Sequence, residues 1–448
     1  MTINNPSDAM TIAFVSIEYP PRLFGGLGAY VTDITDAFTG LGHDIIIATP
    51  NENNSLPVHE IQGGSEGECK CKCNLKDNDD GKGEIEVFRP QSLSDRDTAE
   101  LFLSQETWDT WGDQGVDFLC DLLSYNHLAA SRIVELIRNG RSVDICVGHD
   151  WLDLPAAMTI KKETGIPTIY HVHSTEAGRS LGNLNPQIQR FENRSANYVD
   201  ALITVSNAMK DELVSMGVPQ DKIYVCYNGV DVKRFDPENA RPSNISKLRE
   251  QYGIKDGDRV VLFIGRLEEV KGAAKLVLAM PQVLEKYPDT KLVLVGKGTQ
   301  EGLIRGMISD NHLESSVLLN TDYLPDDEKI DHYAMSDVCV FPSFYEPFGI
   351  VAIEAMAMEK PVVVGAKGTS GLREIVVTPP SDEPTGMHVN PHDPQDVAWG
   401  ITEIFDGGYE VEWGKNGRKR VLEMFTWEVV SSHTLDVYRD VISKVKGV

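Results

Sequence analysis

Residues 341–360 read FPSFYEPFGIVAIEAMAMEK. The stretch begins where the apolar run Val338-Cys339-Val340-Phe341 ends. It turns through Pro342 and Ser343, places Glu346 in a loop, passes Gly349 and enters a helical pattern carrying Glu354. A strand that ends in a glycine-containing loop and feeds a helix builds an anion site, because the first helical N–H groups have no intrahelical acceptor. Two carboxylates beside such a site are out of place for a bare phosphate. They suit a ligand that also presents hydroxyl groups, as a sugar or ribose does, and the combination points to a nucleotide-sugar. Paired acids also suit a helix start in their own right, where the dipole favours negative charge.

The same strand–loop–helix order recurs along the chain. Thr11–Ile17 reads as a strand followed by Gly25-Gly26-Leu27-Gly28. A helical face of Val31, Ile34, Ala37, Phe38 and Leu41 comes next, then a strand at Ile45–Ala48. This is a βαβ unit with a phosphate-type turn. Further strands at Val143–Val147, Thr168–Val172, Ala201–Val205 and Ile223–Cys226 end in polar clusters, among them Gly148-His149-Asp150-Trp151 and His173-Ser174-Thr175-Glu176. The order then repeats through Val260–Ile264, Leu292–Val295, Val317–Leu319, Val338–Phe341 and Val362–Val364. Strands alternating with helices imply parallel sheets covered on both faces, with ligands bound beyond the strand C-termini.

The fold class expected is therefore α/β, with two Rossmann-like doubly wound domains facing across a cleft. The expected division is 1–235, 236–426 and a closing helix at 427–448 that returns to the first domain. Two stretches depart from the pattern. Residues 51–83 are polar and carry Cys69, Cys71 and Cys73, which would share one side of an extended chain. With no fourth ligand nearby and no C-x-x-C spacing, they read as incidental thiols on a surface insertion. From Ser92 to Asn139 the pattern is helical, with Trp108, Trp111, Phe118, Leu119, Leu122 and Leu123 as expected core.

Composition narrows the function. At 448 residues the chain exceeds one ordinary core. A net charge of −26 argues against a nucleic-acid partner, since phosphate backbones want a basic surface. No run reaches the ~18 apolar residues of a membrane span. The opening residues lack a basic n-region and an apolar signal core. Seven cysteines do not form a secreted disulfide framework, so the cytoplasm is the expected compartment. Nothing in the pattern sets an oligomeric state.

Arg266 and Lys271 bracket the loop after the strand Val260–Ile264, so two cations can converge on one diphosphate. GRLEEVKG, FPSFYEPFGIVAIEAM and GTSGLREIV, in this order and at these strand ends, resemble the donor site of retaining GT-B glycosyltransferases. The Glu346-x7-Glu354 spacing is the most specific part. The first loop, GHDW at Gly148–Trp151, and HSTEAGR at His173–Arg179 resemble glycogen and starch synthases within that group. Phe24 stands where the bacterial enzymes carry lysine.

The resemblance implies that Arg266 and Lys271 hold the diphosphate, supported by backbone amides at Phe348, Gly349 and Ile350. It implies that Glu346 meets the donor sugar and Glu354 the ribose, while Gly25 and Gly26 line the donor from the opposite wall. His173 is expected near the reacting carbon, with Asp150 and Arg179 in acceptor or secondary positions. Tyr345, Trp151 and Met356 read as packing, and Glu374 ranks below these. Transfer of glucose from UDP- or ADP-glucose to an α-1,4-glucan follows, without metal or other cofactor. Two alternatives stand beside it. One is a transferase of the same fold acting on a small, phosphorylated or lipid acceptor. The other is a catalytically silent nucleotide-sugar-binding protein.

Overall fold

The computed structural model describes residues 9–23, 25–62, 82–91, 103–322 and 324–447. Phe24 and the cysteines at 69, 71 and 73 lie outside the described residues.

Two sheets organise the chain. The first contains β1 (Thr11–Val15), β2 (Asp44–Ala48), β3 (His59–Gln62), β4 (Ile85–Phe88), β5 (Ile145–His149), β6 (Thr168–Val172), β7 (Ala201–Thr204) and β8 (Ile223–Val225). Their spatial order is β3-β4-β2-β1-β5-β6-β7-β8. The second contains β9 (Arg259–Ile264), β10 (Thr290–Val295), β11 (Val317–Asn320), β12 (Val338–Phe341), β13 (Val362–Gly365) and β14 (Gly386–Val389), in the order β11-β10-β9-β12-β13-β14. Every pairing is parallel except β3 with β4. Helices cover both faces, which is why central strands such as Ile145–His149 are buried along their whole length. These are two parallel-sheet α/β domains of GT-B type.

The strand order reverses between β1 and β5 in one sheet and between β9 and β12 in the other. Such reversals open a crevice at the strand C-termini, because neighbouring connections leave in opposite directions. The register pairs Val15 with Gly148 in the first sheet and Val261 with Val338 in the second. Gly25–Gly28 and His149-Asp150 thus follow one pair of diverging strands. Arg266, Lys271 and Glu346 follow the other.

The chain returns at its end to the first sheet. Val230 N–H donates to Phe425 O (2.8 Å), and Thr426 caps the helix Trp427–Lys446 through its side chain. Trp427, Val430, Leu435, Val437, Tyr438 and Val441 then share one core with Ile12, Phe14, Tyr30 and Phe38. Burying each of the aliphatic members contributes roughly 1.5–3 kcal/mol, ample to hold a 20-residue amphipathic helix in place.

Several expectations are corrected. The helix Gln105–Arg138 buries Leu122, but Phe118 is 40% and Leu123 57% exposed. The covering helix Asp150–Thr164 begins level with Asn126, whose amide bonds Leu152 O and Ala156 N–H (both 2.9 Å). Earlier turns reach Trp151, with the rings of Trp111 and Phe118 6.4 and 6.5 Å from it, and Gln187, which accepts from Trp111 Nε1 at 2.7 Å. Trp108 and Trp111 are half-buried. Within the stretch read as a polar insertion, His59–Gln62 forms the antiparallel edge strand. Between β8 and β9 the chain forms a further helix, Pro242–Gln251. Among the described residues, no helix is long and apolar enough to cross a membrane.

Candidate active site

The second domain builds one wall from two loops tied to each other. Phe344 N–H, after β12, donates to Val270 O, after β9 (2.8 Å). Glu346 is held by its own backbone, with Gly371 N–H donating to its carbonyl (2.8 Å) and its N–H donating to Thr369 O (3.2 Å). Its side chain is nearly sealed. Oε2 accepts from Lys271 Nζ at 2.6 Å and from Ser343 Oγ at 3.1 Å. Lys271 closes a short 3-10 turn, Glu269–Lys271, that aims its side chain back across the loop. Arg266 is exposed and has no hydrogen-bond or ion-pair partner among the described residues.

Gly349 leads into the helix Ile350–Ala357 at φ 112°, and a Cβ there would lie 2.4 Å from Leu372 Cδ2. Both the left-handed backbone and the close approach require glycine. The N-terminal N–H groups of this helix thereby open beside Glu346. Glu354, one turn inside, is buried and accepts from Tyr333 Oη at 2.8 Å. Burial pushes its carboxyl up, and the Lys329 charge opposes that.

The first domain supplies the facing wall. Gly26 meets Ile350 Cδ1 at the distance of ordinary packing: a Cβ on Gly26 would stand 3.5 Å from it. Gly25 and Gly28 N–H both donate to Glu18 Oε2, at 3.2 and 3.1 Å. A carboxylate of the chain itself thus sits where an anionic ligand group would. His173 follows β6 and is gripped twice: its backbone N–H donates to Asp150 Oδ1 (2.7 Å), and its Nε2 meets His149 Nδ1 (3.1 Å). Asp150 also accepts from Ser174 N–H (3.2 Å) and stands at φ 51°. Arg179 sits amid Asp150, Glu176 and Glu192 at 3.5–3.7 Å and donates to Ser174 Oγ at 2.7 Å. Glu192 is raised to about 7 by burial, against the pull of Arg179.

Two further contacts bridge the domains. The Tyr345 ring lies on Gly178, where a Cβ would stand 2.0 Å from Cζ, and its hydroxyl accepts from Thr175 N–H (3.1 Å). Glu374 accepts from Asn207 N–H, Ala208 N–H, the Asn207 amide and Tyr227 Oη, at 2.8–3.1 Å.

Residues 244–420 match the model for glycosyl transferases group 1, and residues 84–234 match that for Glycosyltransferase Family 4. An uncharacterized glycosyltransferase of Methanocaldococcus jannaschii is 30% identical over 437 residues, covering 96% of this chain and 98% of its own. The chain belongs to the group 1 glycosyltransferases.

Other relatives span the family. A glycogen synthase of Mycobacterium tuberculosis is 27% identical, over 96% of this chain and 94% of its own. A D-inositol 3-phosphate glycosyltransferase of Paenarthrobacter aurescens is 29% identical, over 67% of this chain and 73% of its own. Among solved structures, sucrose-phosphate synthase of Thermosynechococcus elongatus superposes with a TM-score of 0.70 at 21% identity, over 97% of this chain and 100% of that one. The catalytic domain of starch synthase IV from Arabidopsis thaliana, bound to ADP and acarbose, gives 0.70 at 17% over the same shares.

In this glycosyltransferase, Gly26, Ile350, Lys271 and Glu346 gather at the two strand-order reversals, and Arg266 projects from the same loop as Lys271. His173, Asp150 and Arg179 form a second group joined by Ser174. Asp150, expected in an acceptor or secondary position, holds the loop after β6 through its Oδ1. Tyr345 reads as packing, and that ring does pack, but across the domain interface. Ser343, Glu18 and His149 were not singled out. Ser343 lies three residues before Glu346 inside the motif, and that adjacency was the available signal.

Proposed function

We propose that this glycosyltransferase moves glucose from a nucleoside-diphosphate glucose to the non-reducing end of an α-1,4-glucan, with retention at the anomeric carbon. The Lys271–Glu346 pair beside the opening of the Ile350–Ala357 helix carries the reading. It sets a cation, a hydroxyl-binding carboxylate and free helical N–H groups side by side, which is what a sugar diphosphate requires. Arg266 and Lys271 hold the diphosphate, helped by amides of Phe348, Gly349 and Ile350. Glu346 takes the sugar hydroxyls and Glu354 the ribose. Gly25, Gly26 and His173 close over the donor, with Asp150 and Arg179 shaping the acceptor side. The domain division 1–235, 236–426 and 427–448 belongs to the same proposal.

The bond from the anomeric carbon to the diphosphate oxygen breaks, and the acceptor hydroxyl attacks from the same face. Its proton passes to the departing phosphate oxygen, while Arg266 and Lys271 stabilise the growing charge. Glu346 is bound to a lysine and a serine hydroxyl, which suits a binding role better than that of a nucleophile behind the sugar.

A second reading, transfer to a small phosphorylated acceptor, is supported by the likeness to D-inositol 3-phosphate glycosyltransferases. A screen of UDP- and ADP-glucose against glycogen, maltose and sugar phosphates, following nucleotide release, separates the two. Release with glycogen supports the first reading. Release with a phosphorylated acceptor alone supports the second.

A further inference from the structure

His149 and His171 are register partners on β5 and β6, and His173 lies two residues beyond His171, so all three imidazoles stand on one face of the sheet. Phe14 and Tyr30 pack against them, and Trp427 packs on Tyr30. Three clustered histidines raise the prospect of a metal centre, but the geometry is wrong for one. The ring centroids of His149 and His173 are 5.4 Å apart and their nitrogens 3.1 Å. The difference is about one ring's width, so the two nitrogens face each other head-on. An ion at the ~2.0–2.1 Å of a zinc–nitrogen bond from both would have to stand off the line joining them, far from the axis of either lone pair. Head-on nitrogens at 3.1 Å share a proton.

Which ring owns that proton follows from the other nitrogens. His149 Nε2 is sealed from solvent and has no partner among the described residues. Were the shared proton on His173 Nε2, neutral His149 would carry its own N–H at that sealed position. An orphaned buried donor is rarer and costlier than a buried nitrogen lone pair. The proton therefore belongs to His149 Nδ1, and His173 Nε2 accepts. His173 then carries its N–H on Nδ1, which has no partner among the described residues and is not among the sealed atoms. Burial keeps all three rings below the usual imidazole range. The neighbouring His173 adds to this for His149 and His171, while Asp150 pulls His173 partly back.

We infer that His149 is a positioning residue that fixes His173 as a neutral hydrogen-bond donor from Nδ1, so that His173 binds the donor sugar and cannot act as the base. This rests on the placement of His173 at the reacting sugar proposed above. It adds that the acceptor's proton has no imidazole to go to and must leave on the phosphate oxygen. The GHDW segment then acts as a clamp, in which Asp150 fixes the backbone of His173 and His149 its tautomer.

The test combines a spectroscopic signature with rescue. Nitrogen-15 shifts of His173 in the full-length protein at neutral pH report which nitrogen is protonated, with assignment by comparison with His173→Gln. The expected result is protonated Nδ1 in the wild type. His149→Asn, whose amide N–H replaces Nδ1–H, should keep that tautomer and most of kcat. His149→Phe should mix the tautomers and lower kcat by about ten- to a hundredfold, because the donor to the sugar is misplaced. Protonated Nε2 on wild-type His173 overturns the inference even if His149→Phe fails to fold. Equal kcat in the His149→Asn and His149→Phe variants also overturns it. Unchanged turnover in His173→Ala would instead overturn the placement of His173, leaving the tautomer result to stand by itself.

Discussion

Lys271 Nζ lies 2.6 Å from Glu346 Oε2, joining the loop after β9 to the loop after β12. With side chains 22% and 9% exposed, the pair is neither a solvated surface contact nor a fully desolvated one. In the proposed reaction Lys271 serves two anions. It neutralises Glu346 while the site is empty, and it is shared with the diphosphate once the donor is bound.

Removing the lysine alone should therefore cost stability as well as turnover. Lys271→Met leaves the Glu346 carboxylate, among the described residues, with Ser343 alone, and a loss of about 1–3 kcal/mol is expected in urea unfolding. Adding Glu346→Gln should recover most of that stability and none of the activity. If the double variant is as unstable as Lys271→Met, the pair is not what holds the two loops.

Arg266 gives the opposite contrast. It is exposed and unpartnered among the described residues, so Arg266→Ala should leave the melting temperature unchanged. Turnover should fall by about 10²–10³, the usual cost of losing one donor to a developing anion. Intact turnover would remove Arg266 from the diphosphate site.

Glu374 reaches from the second domain to cap the helix Asn207–Ser215 in the first. Glu374→Ala should cost about 0.5–2 kcal/mol, the range of a lost cap and its charge at a helix start. Since the contact crosses the interface, small-angle scattering should also show a larger radius of gyration. An unchanged radius would mean that the Tyr345 contact with Gly178 and Thr175 holds the domains without it.

Acid should weaken the fold through His43. This buried ring accepts from Met10 N–H at 3.0 Å, and burial, with Arg439 nearby, lowers it to about 4. Below an unfolded value near 6.5 the unfolded chain takes up the proton first, so stability present above that pH is lost as pH falls through about 4. The wild type should lose roughly 1–3 kcal/mol more than His43→Leu between pH 7 and 4.5 in urea melts. Parallel pH profiles would contradict this.

The alternation of apolar strands with helices was legible in the chain, because parallel strands buried on both faces leave unbroken runs such as Val260–Ile264. So were the positions of Arg266, Lys271 and Glu346 in loops after strands, and of Glu354 in the helix that follows. Three features were not. The exposure of Phe118 and Leu123 depends on how far along one helix another begins. His59–Gln62 pairs only at the edge of the sheet, so its two faces alternate weakly. The part proposed for His149 depends on a neighbour 24 residues away, just past the end of the next strand. Tertiary context decides each of these, and local pattern carries no trace of it.

Proton NMR of the product made from UDP- or ADP-glucose and a short α-1,4-glucan tests the proposed reaction most directly. The new anomeric signal should be that of an α-1,4-linked glucosyl unit at the non-reducing end, appearing as nucleotide is released and lost in Lys271→Met. A β-linked product, or nucleotide release with no sugar added to the glucan, would contradict retaining transfer to an α-glucan.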